Sequence, residues 1–245
     1  MHGHGTGHRA TMALGGAGLA LAHALNGEPD MADHVLREPD VRAAFPPGSA
    51  KGGHHRLATA VTLARAMIAV DRADPAADEA IGDVATPRER DDLWAMSVFV
   101  RAQFAAMGAD PEEVFRQANR VRAALRQSMP DSLAQALLRS ALVELLIAGG
   151  MAGVAGGVEI HQAHALGWAA RAKASLARER FADAVAAARK AAAAPHVSVR
   201  SLAESHVILA AAHHQLNERH LAREAFARAV AVARASGQRR PFYLM

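Results

Sequence analysis

An all-α fold built from packed helical hairpins is what this sequence predicts, and three observations carry the prediction. Apolar residues recur at helical spacing. Leu202, His206, Leu209, His213 and Leu216 fall at offsets 0, 4, 7, 11 and 14, and Ala222, Phe226, Ala229 and Ala233 repeat the stripe on the next segment. Helix start and stop signals punctuate the chain at short intervals, as at Asp110-Pro111 and Gly237. Runs of alternating Val, Ile, Thr and Tyr, the mark of strands, are nearly absent. Half of the residues are hydrophobic (51%) but only 4% are aromatic, so alanine carries the apolar faces and helices can approach closely.

Taken in order, Thr11 to Leu25 reads as a helix broken at Asn26-Gly27, and Pro29-Asp30 opens a short helix through Leu36. Glu38 to Lys51, with Pro39, Pro46, Pro47 and Gly48, reads as a loop. His54 to Val70 is helical, with Leu57, Val61, Ala64 and Ile68 on one face. Asp74-Pro75 opens a short helix to Ile81; Thr86-Pro87 with Glu89 opens one that stops at Gly108. Asp110-Pro111-Glu112-Glu113 starts a helix to Ser128, its acids placed where the helix dipole favours them. Pro130-Asp131 starts another that ends at Gly149-Gly150, and Gly149 to Gly157 reads as a flexible joint. His161 to Leu176 and Phe181 to Ala194 follow, closed by Pro195. Ser198 to Phe242 then forms two helices around Asn217-Glu218.

Long helix, turn, shorter helix and loop thus alternate five or six times, which calls for a test of internal repeats. In the tetratricopeptide register, Leu and a small residue are followed by Ala twelve later, an aromatic four beyond, and Ala three after that. Leu209, Ala210, Ala222, Phe226 and Ala229 keep this register. The preceding hairpin supplies Trp168, Ala172, Phe181, Ala184, Ala188, Ala191 and Pro195, with Arg171 and Ser175 where Leu and Tyr belong. The expected architecture is therefore an α-solenoid, a right-handed superhelix of tetratricopeptide-like hairpins. Residues 1–10 form a flexible His/Gly-rich start, residues 11–157 irregular hairpins, and residues 158–245 two tetratricopeptide-like hairpins with a basic end. In these hairpins small residues let helices approach and Phe226 fills the space beside them.

The basic end is a matter of charge distribution. Residues 161–245 carry 13 basic and 5 acidic side chains, whereas residues 1–160 carry 15 and 19. Arginines on solvated helix faces account for this. Lys51, Lys173 and Lys190 are the only lysines. The absence of cysteine removes disulfides, thiolate metal sites and cysteine nucleophiles, and suits a cytoplasmic location. The stretch after Arg9, mostly Ala and Gly, lacks the Leu-rich centre of a signal peptide and fits a repeat helix. Leu142 to Val158 is apolar except for Glu144, but its glycines and its length leave it short of a membrane helix.

At Ser198 to Phe242 the sequence resembles the last hairpin of the large ATP-binding LuxR-family transcription regulators of the maltose-activator type. There, too, the hairpin ends in Gly and then Arg-Pro-Phe, as Gly237 and Arg240-Pro241-Phe242 do here. The resemblance implies a tetratricopeptide-like sensor that binds a protein partner or small effector on a concave face. DNA would be met only through a helix-turn-helix module, which this chain lacks. A phosphate loop is lacking as well, because Gly48-Ser49-Ala50-Lys51 misses the earlier glycine and the Ser/Thr after lysine. The same function without any transcriptional role, a stand-alone interaction scaffold, is the alternative.

No catalytic constellation emerges, so a non-enzymatic role with no cofactor and no metal is expected. Glu112-Glu113, Asp91-Asp92 and Asp78-Glu79 are adjacent pairs that point about 100° apart on a helix and cannot form an acid/base dyad. His2, His4 and His8 belong to the flexible start. His206, His213, His214 and His220 cluster near the last turn, and His161 and His164 share a face, without the three or four converging ligands that zinc needs. Trp168, Arg171, His206 and His213 are the candidate effector- or partner-binding residues, the histidines with satisfied ring nitrogens.

Overall fold

The computed structural model describes residues 4–46, 56–84, 93–108, 110–159 and 164–243, with only the backbone for 4–10 and 56. Thirteen α-helices and one 3-10 turn occupy these residues, and no strand is found among them. In chain order they are α1 (His4–Asn26), α2 (Pro29–Leu36), α3 (Pro39–Ala44), α4 (Arg56–Asp71), α5 (Ala77–Asp83), α6 (Trp94–Met107) and α7 (Pro111–Gln127). There follow α8 (Leu133–Ala148), α9 (Ala152–Ala155), α10 (Ala165–Ala177), α11 (Phe181–Ala192), α12 (Val199–Gln215) and α13 (Arg219–Ser236), and then the 3-10 turn Arg240–Phe242.

The starts obey local chemistry. Pro29 and Pro111 sit in the first helical turn, where their missing N–H costs nothing. The Asp110 side chain accepts from Glu112 N at 3.0 Å, and Ser132 and Ser198 cap α8 and α12 in the same way. The stops repeat one device. A residue with positive φ (Gly27, Ala73, Gly150, Glu179, Asn217 or Gly237) is followed by an N–H that reaches back to a carbonyl five residues earlier. The resulting bonds are Glu28 to His23, Asp74 to Ala69, Met151 to Leu146, Arg180 to Ser175, Glu218 to His213 and Gln238 to Ala233, all between 2.7 and 3.0 Å. In the first and last hairpins the side chains reinforce the turn. His23 Nδ1 meets Glu28 Oε2 at 2.7 Å, and His213 pairs with Glu218 in the same relation.

These turns pair α1 with α2, α4 with α5, α8 with α9, α10 with α11 and α12 with α13, while Gly108 in extended backbone joins α6 to α7. The first helices of successive pairs also pack on one another, α1 on α4, α4 on α6, and so on to α12. The apolar core lies along this row in two clusters. The larger runs from α1 to α10, and a smaller one joins α10, α11, α12 and α13. The last hairpin also touches the first, since α13 meets α2, and the 3-10 turn after it meets α4 of the second.

Several expectations are corrected. Within the His/Gly-rich start, the residues from His4 onward lie in α1. The stretch read as a loop contains α3, whose Val41 is buried and packs beside Gly16. The Gly149–Gly157 joint contains the single turn α9, with Ala155 fully buried. On α13 the buried stripe is Ala225, Ala229, Ala233 and Ser236, and Ala222 is half-buried. Phe226 is 52% exposed and fills no interhelical space; its ring meets Phe242 edge-on at 6.0 Å. With alanine on both helices, the backbones approach too closely to admit a ring between them. The Leu202–Leu216 stripe is likewise rotated, because α12 buries Ser201, Ser205, Ile208 and Ala212 most deeply while Leu216 is exposed. The starts at Thr86 and Asp91-Asp92, Gly48–Lys51, His161 and His2 lie outside the described residues.

Candidate functional site: a buried charge network and its clefts

Every first helix of a hairpin contributes to one polar network in the middle of the molecule. Arg200, in the first turn of α12 and 2% exposed, clasps Asp71 at the end of α4 through two bonds of 2.5 and 2.7 Å. The same guanidinium donates to the Ala24 carbonyl of α1 at 2.8 Å and to Gln103 of α6 at 3.3 Å. One helical turn further along α12, Glu204 accepts from Lys173 Nζ of α10 at 2.8 Å. Lys173 also bonds Glu144 of α8 at 2.5 Å. Arg240 then closes a square, donating to Glu204 at 3.0 Å and to Glu144. The backbone beside it is anchored too, by Arg239 N to the Asp71 carbonyl at 2.7 Å and Gln238 Nε2 to the Gly27 carbonyl at 2.6 Å.

All six charged residues are at most 7% exposed, and their formal charges cancel, three against three. Such a balance is required, since an unpaired buried ion is costly. Burial pushes the Glu144 carboxyl up, but Arg240 and Lys173 prevail and hold it below its ordinary value. Burial would lower the Arg240 guanidinium, and Glu144, Glu204 and Asp71 raise it instead. At Asp71 burial wins and the carboxyl is raised, with Arg200 and Arg240 opposing. The resemblance to a regulator rested on Arg240-Pro241-Phe242 as the exit from the last hairpin. In the structure Arg240 is 1% exposed, a side chain of the core rather than of a solvated basic end.

The 3-10 turn separates two open clefts. One, of about 750 Å³, is bordered by Ile147, Leu176, Phe181, Gln215 and Tyr243, and Glu144 and Lys173 lie at its inner end. The other, of about 610 Å³, lies between Asp30, Arg72 and Asp74 on one side and Arg234, Arg239 and Phe242 on the other.

Of the four candidate residues from the sequence, Trp168 and Arg171 come together. Trp168 is half-buried on α10, with Lys190 Nζ 4.4 Å and Arg171 Cζ 5.9 Å from its ring centre, a cation–π pair away from both clefts. His213 is buried at the α12–α13 turn, where its imidazole secures Glu218. His206 faces α13. Its Nδ1 is buried without a hydrogen-bond partner, contrary to the expected satisfied nitrogen. Among the described residues no group of three or more metal-binding side chains forms.

Burial, and behind it the Arg228 guanidinium, holds the His206 imidazole below its ordinary value. The folded state then binds fewer protons here than the unfolded one as pH falls through about 6.5. Stability from this site is therefore present above that pH and lost on acidification. His206→Leu will stay within about 1 kcal/mol of the parent at pH 7.5. Its unfolding free energy will fall less between pH 7 and pH 5. Urea titrations at the two pH values check this, and an unchanged difference between them would sink it.

The network itself was missed because nothing local marks a charge as buried. Two faint signals were present. Glu144 is the lone charge in an apolar run, and Lys173 is one of three lysines in an arginine-rich chain.

The architecture defines an all-helical chain of packed hairpins around a balanced ionic core. No family model, curated protein or solved structure matches the chain. Among the described residues no helix is long and apolar enough to cross a membrane.

Proposed function

We propose that this chain is a non-enzymatic helical-repeat interaction domain. Its hairpins, tetratricopeptide-like in the last two, wind as a superhelix whose first helices form the ligand-binding face. The ligand is a polypeptide segment received in the cleft beside Glu144 and Lys173. One observation carries this reading. The chain's own 3-10 turn, Arg240–Phe242, already packs on the first helices α4 and α12, with the Arg240 side chain held by Glu144 and Glu204 and the adjacent Arg239 N–H on the Asp71 carbonyl. The cleft next to it offers apolar walls, Ile147, Leu176 and Phe181, with few charges, as peptide grooves do.

A second reading keeps the resemblance to the LuxR-family sensor. It is favoured by the bond from Arg240 to Glu144, which ties the segment leading out of the last hairpin to a wall of the cleft. Occupancy of the cleft would then shift that segment and be passed to whatever follows it.

The test uses the full chain, immobilised as the parent and as Leu176→Glu, a change on a half-buried cleft wall. Circular dichroism first establishes that both are equally helical. A protein retained by the parent and lost from the variant supports the reading; identical capture by the two overturns it.

A further inference from the structure

We propose that the Glu144–Glu204 carboxylate pair, of which Glu144 lines the cleft of about 750 Å³, is a recognition site for an arginine-bearing peptide, and that Arg240 is its resident partner, which a ligand's arginine displaces. The proposal rests on the interaction reading above and adds the partner's chemistry.

Charge complementarity argues for the cation. Glu144 and Glu204 share Lys173 and Arg240 between them. With Arg240 withdrawn, two buried carboxylates would face one ammonium, and a buried excess of negative charge is costly. A ligand entering there must return one positive charge. Lys173 already joins the two carboxylates through one nitrogen. Arg240 takes the second bridging position with a planar fork, one terminal nitrogen on each carboxylate, and the cation that matches this fork is a guanidinium.

The resident segment is short. It is three residues of 3-10 turn, closed by Phe242 N to the Arg239 carbonyl and Tyr243 N to the Arg240 carbonyl. Arg240 Nε is buried with no partner, so the seated side chain leaves one donor unused. The residues that follow lie at the clefts: Phe242 borders one, and Tyr243, 63% exposed, borders the other. A partner segment that places an arginine on Glu144 and Glu204 thus directs its next side chains toward Ile147, Leu176 and Phe181. The fitting ligand is an arginine followed closely by an aromatic or apolar residue.

The experiment uses the full chain carrying Arg240→Ala. Two fluorescent peptides are titrated by anisotropy: one reproduces residues 237–243, and the other has its counterpart of Arg240 changed to alanine. The expected result is at least tenfold tighter binding of the first peptide, and at least tenfold weaker binding of that peptide to the parent chain, whose site is filled. If the variant is unfolded alone, the first peptide restores its helical signal and the second does not. Equal binding of the two peptides overturns arginine recognition while leaving the inner face as an interaction surface. Absence of both binding and restoration overturns the proposal outright. So does binding of free arginine amide as tight as that of the peptide, which would make the site one for small cations. The capture experiment with Leu176→Glu judges the underlying interaction reading separately.

Discussion

Replacing Arg200 with methionine will lower the unfolding free energy by about 3–5 kcal/mol, the range for stranding one partner of a buried ion pair. The guanidinium is almost fully enclosed and holds both oxygens of Asp71. Without it, Asp71 stays 1% exposed and loses both bonds to its carboxylate oxygens, and the Ala24 carbonyl keeps only the Gly27 N–H. A surface arginine would cost almost nothing, because exposed ion pairs contribute little. Removing both charges together, in Asp71→Leu with Arg200→Met, should recover most of the loss, as apolar replacements of a buried pair often do. Urea denaturation of the two variants decides the matter. A loss below about 1 kcal/mol in the single variant would show that water reaches the pair and that the core is looser than described.

Gly27→Ala is the second large effect, at roughly 2–4 kcal/mol from a left-handed residue forced to carry a side chain and from overpacking. Gly27 has φ of +82°, and an added Cβ would meet Arg200 Cβ at 2.6 Å and Arg200 N at 2.8 Å. The clash is with backbone, so no rotamer change relieves it. The first turn of α12 must retreat, and with it the hold on Asp71. A thermal unfolding scan that shows a shift no greater than that of Gly15→Ala, where the added Cβ meets nothing within 4 Å, would refute the close approach.

Much of the secondary structure could be read from the sequence because its signals are local. Pro29, Asp110-Pro111, Ser198 and Gly237 act on groups within one turn of themselves, and the helices begin or end beside them. Face assignments were less legible. In a chain so rich in alanine, every face of a helix is apolar enough to be buried. Phe226 looked like a core residue only because it is large, and the alanines around it took the interface. The site was legible least. Whether Arg240 is a surface arginine or the centre of a square depends on Glu144 and Glu204, 96 and 36 residues away. No periodicity within one helix records such a meeting, and the pattern Arg-Pro-Phe supports either reading equally well.

The contacts between the first and last hairpins bear on how the molecule comes apart. An open array of hairpins touches only its neighbours, so its terminal units melt first and folding spreads from wherever it starts. Here the bond from Arg200 to Ala24 joins residues 176 apart, and that from Gln238 to Gly27 spans 211. These ties leave no terminal hairpin free to fray independently. The cost falls on kinetics, since closing so long a loop is paid before its contacts repay it. A chain arranged in this way trades the graded unravelling of a ribbon for the all-or-none failure of a ring.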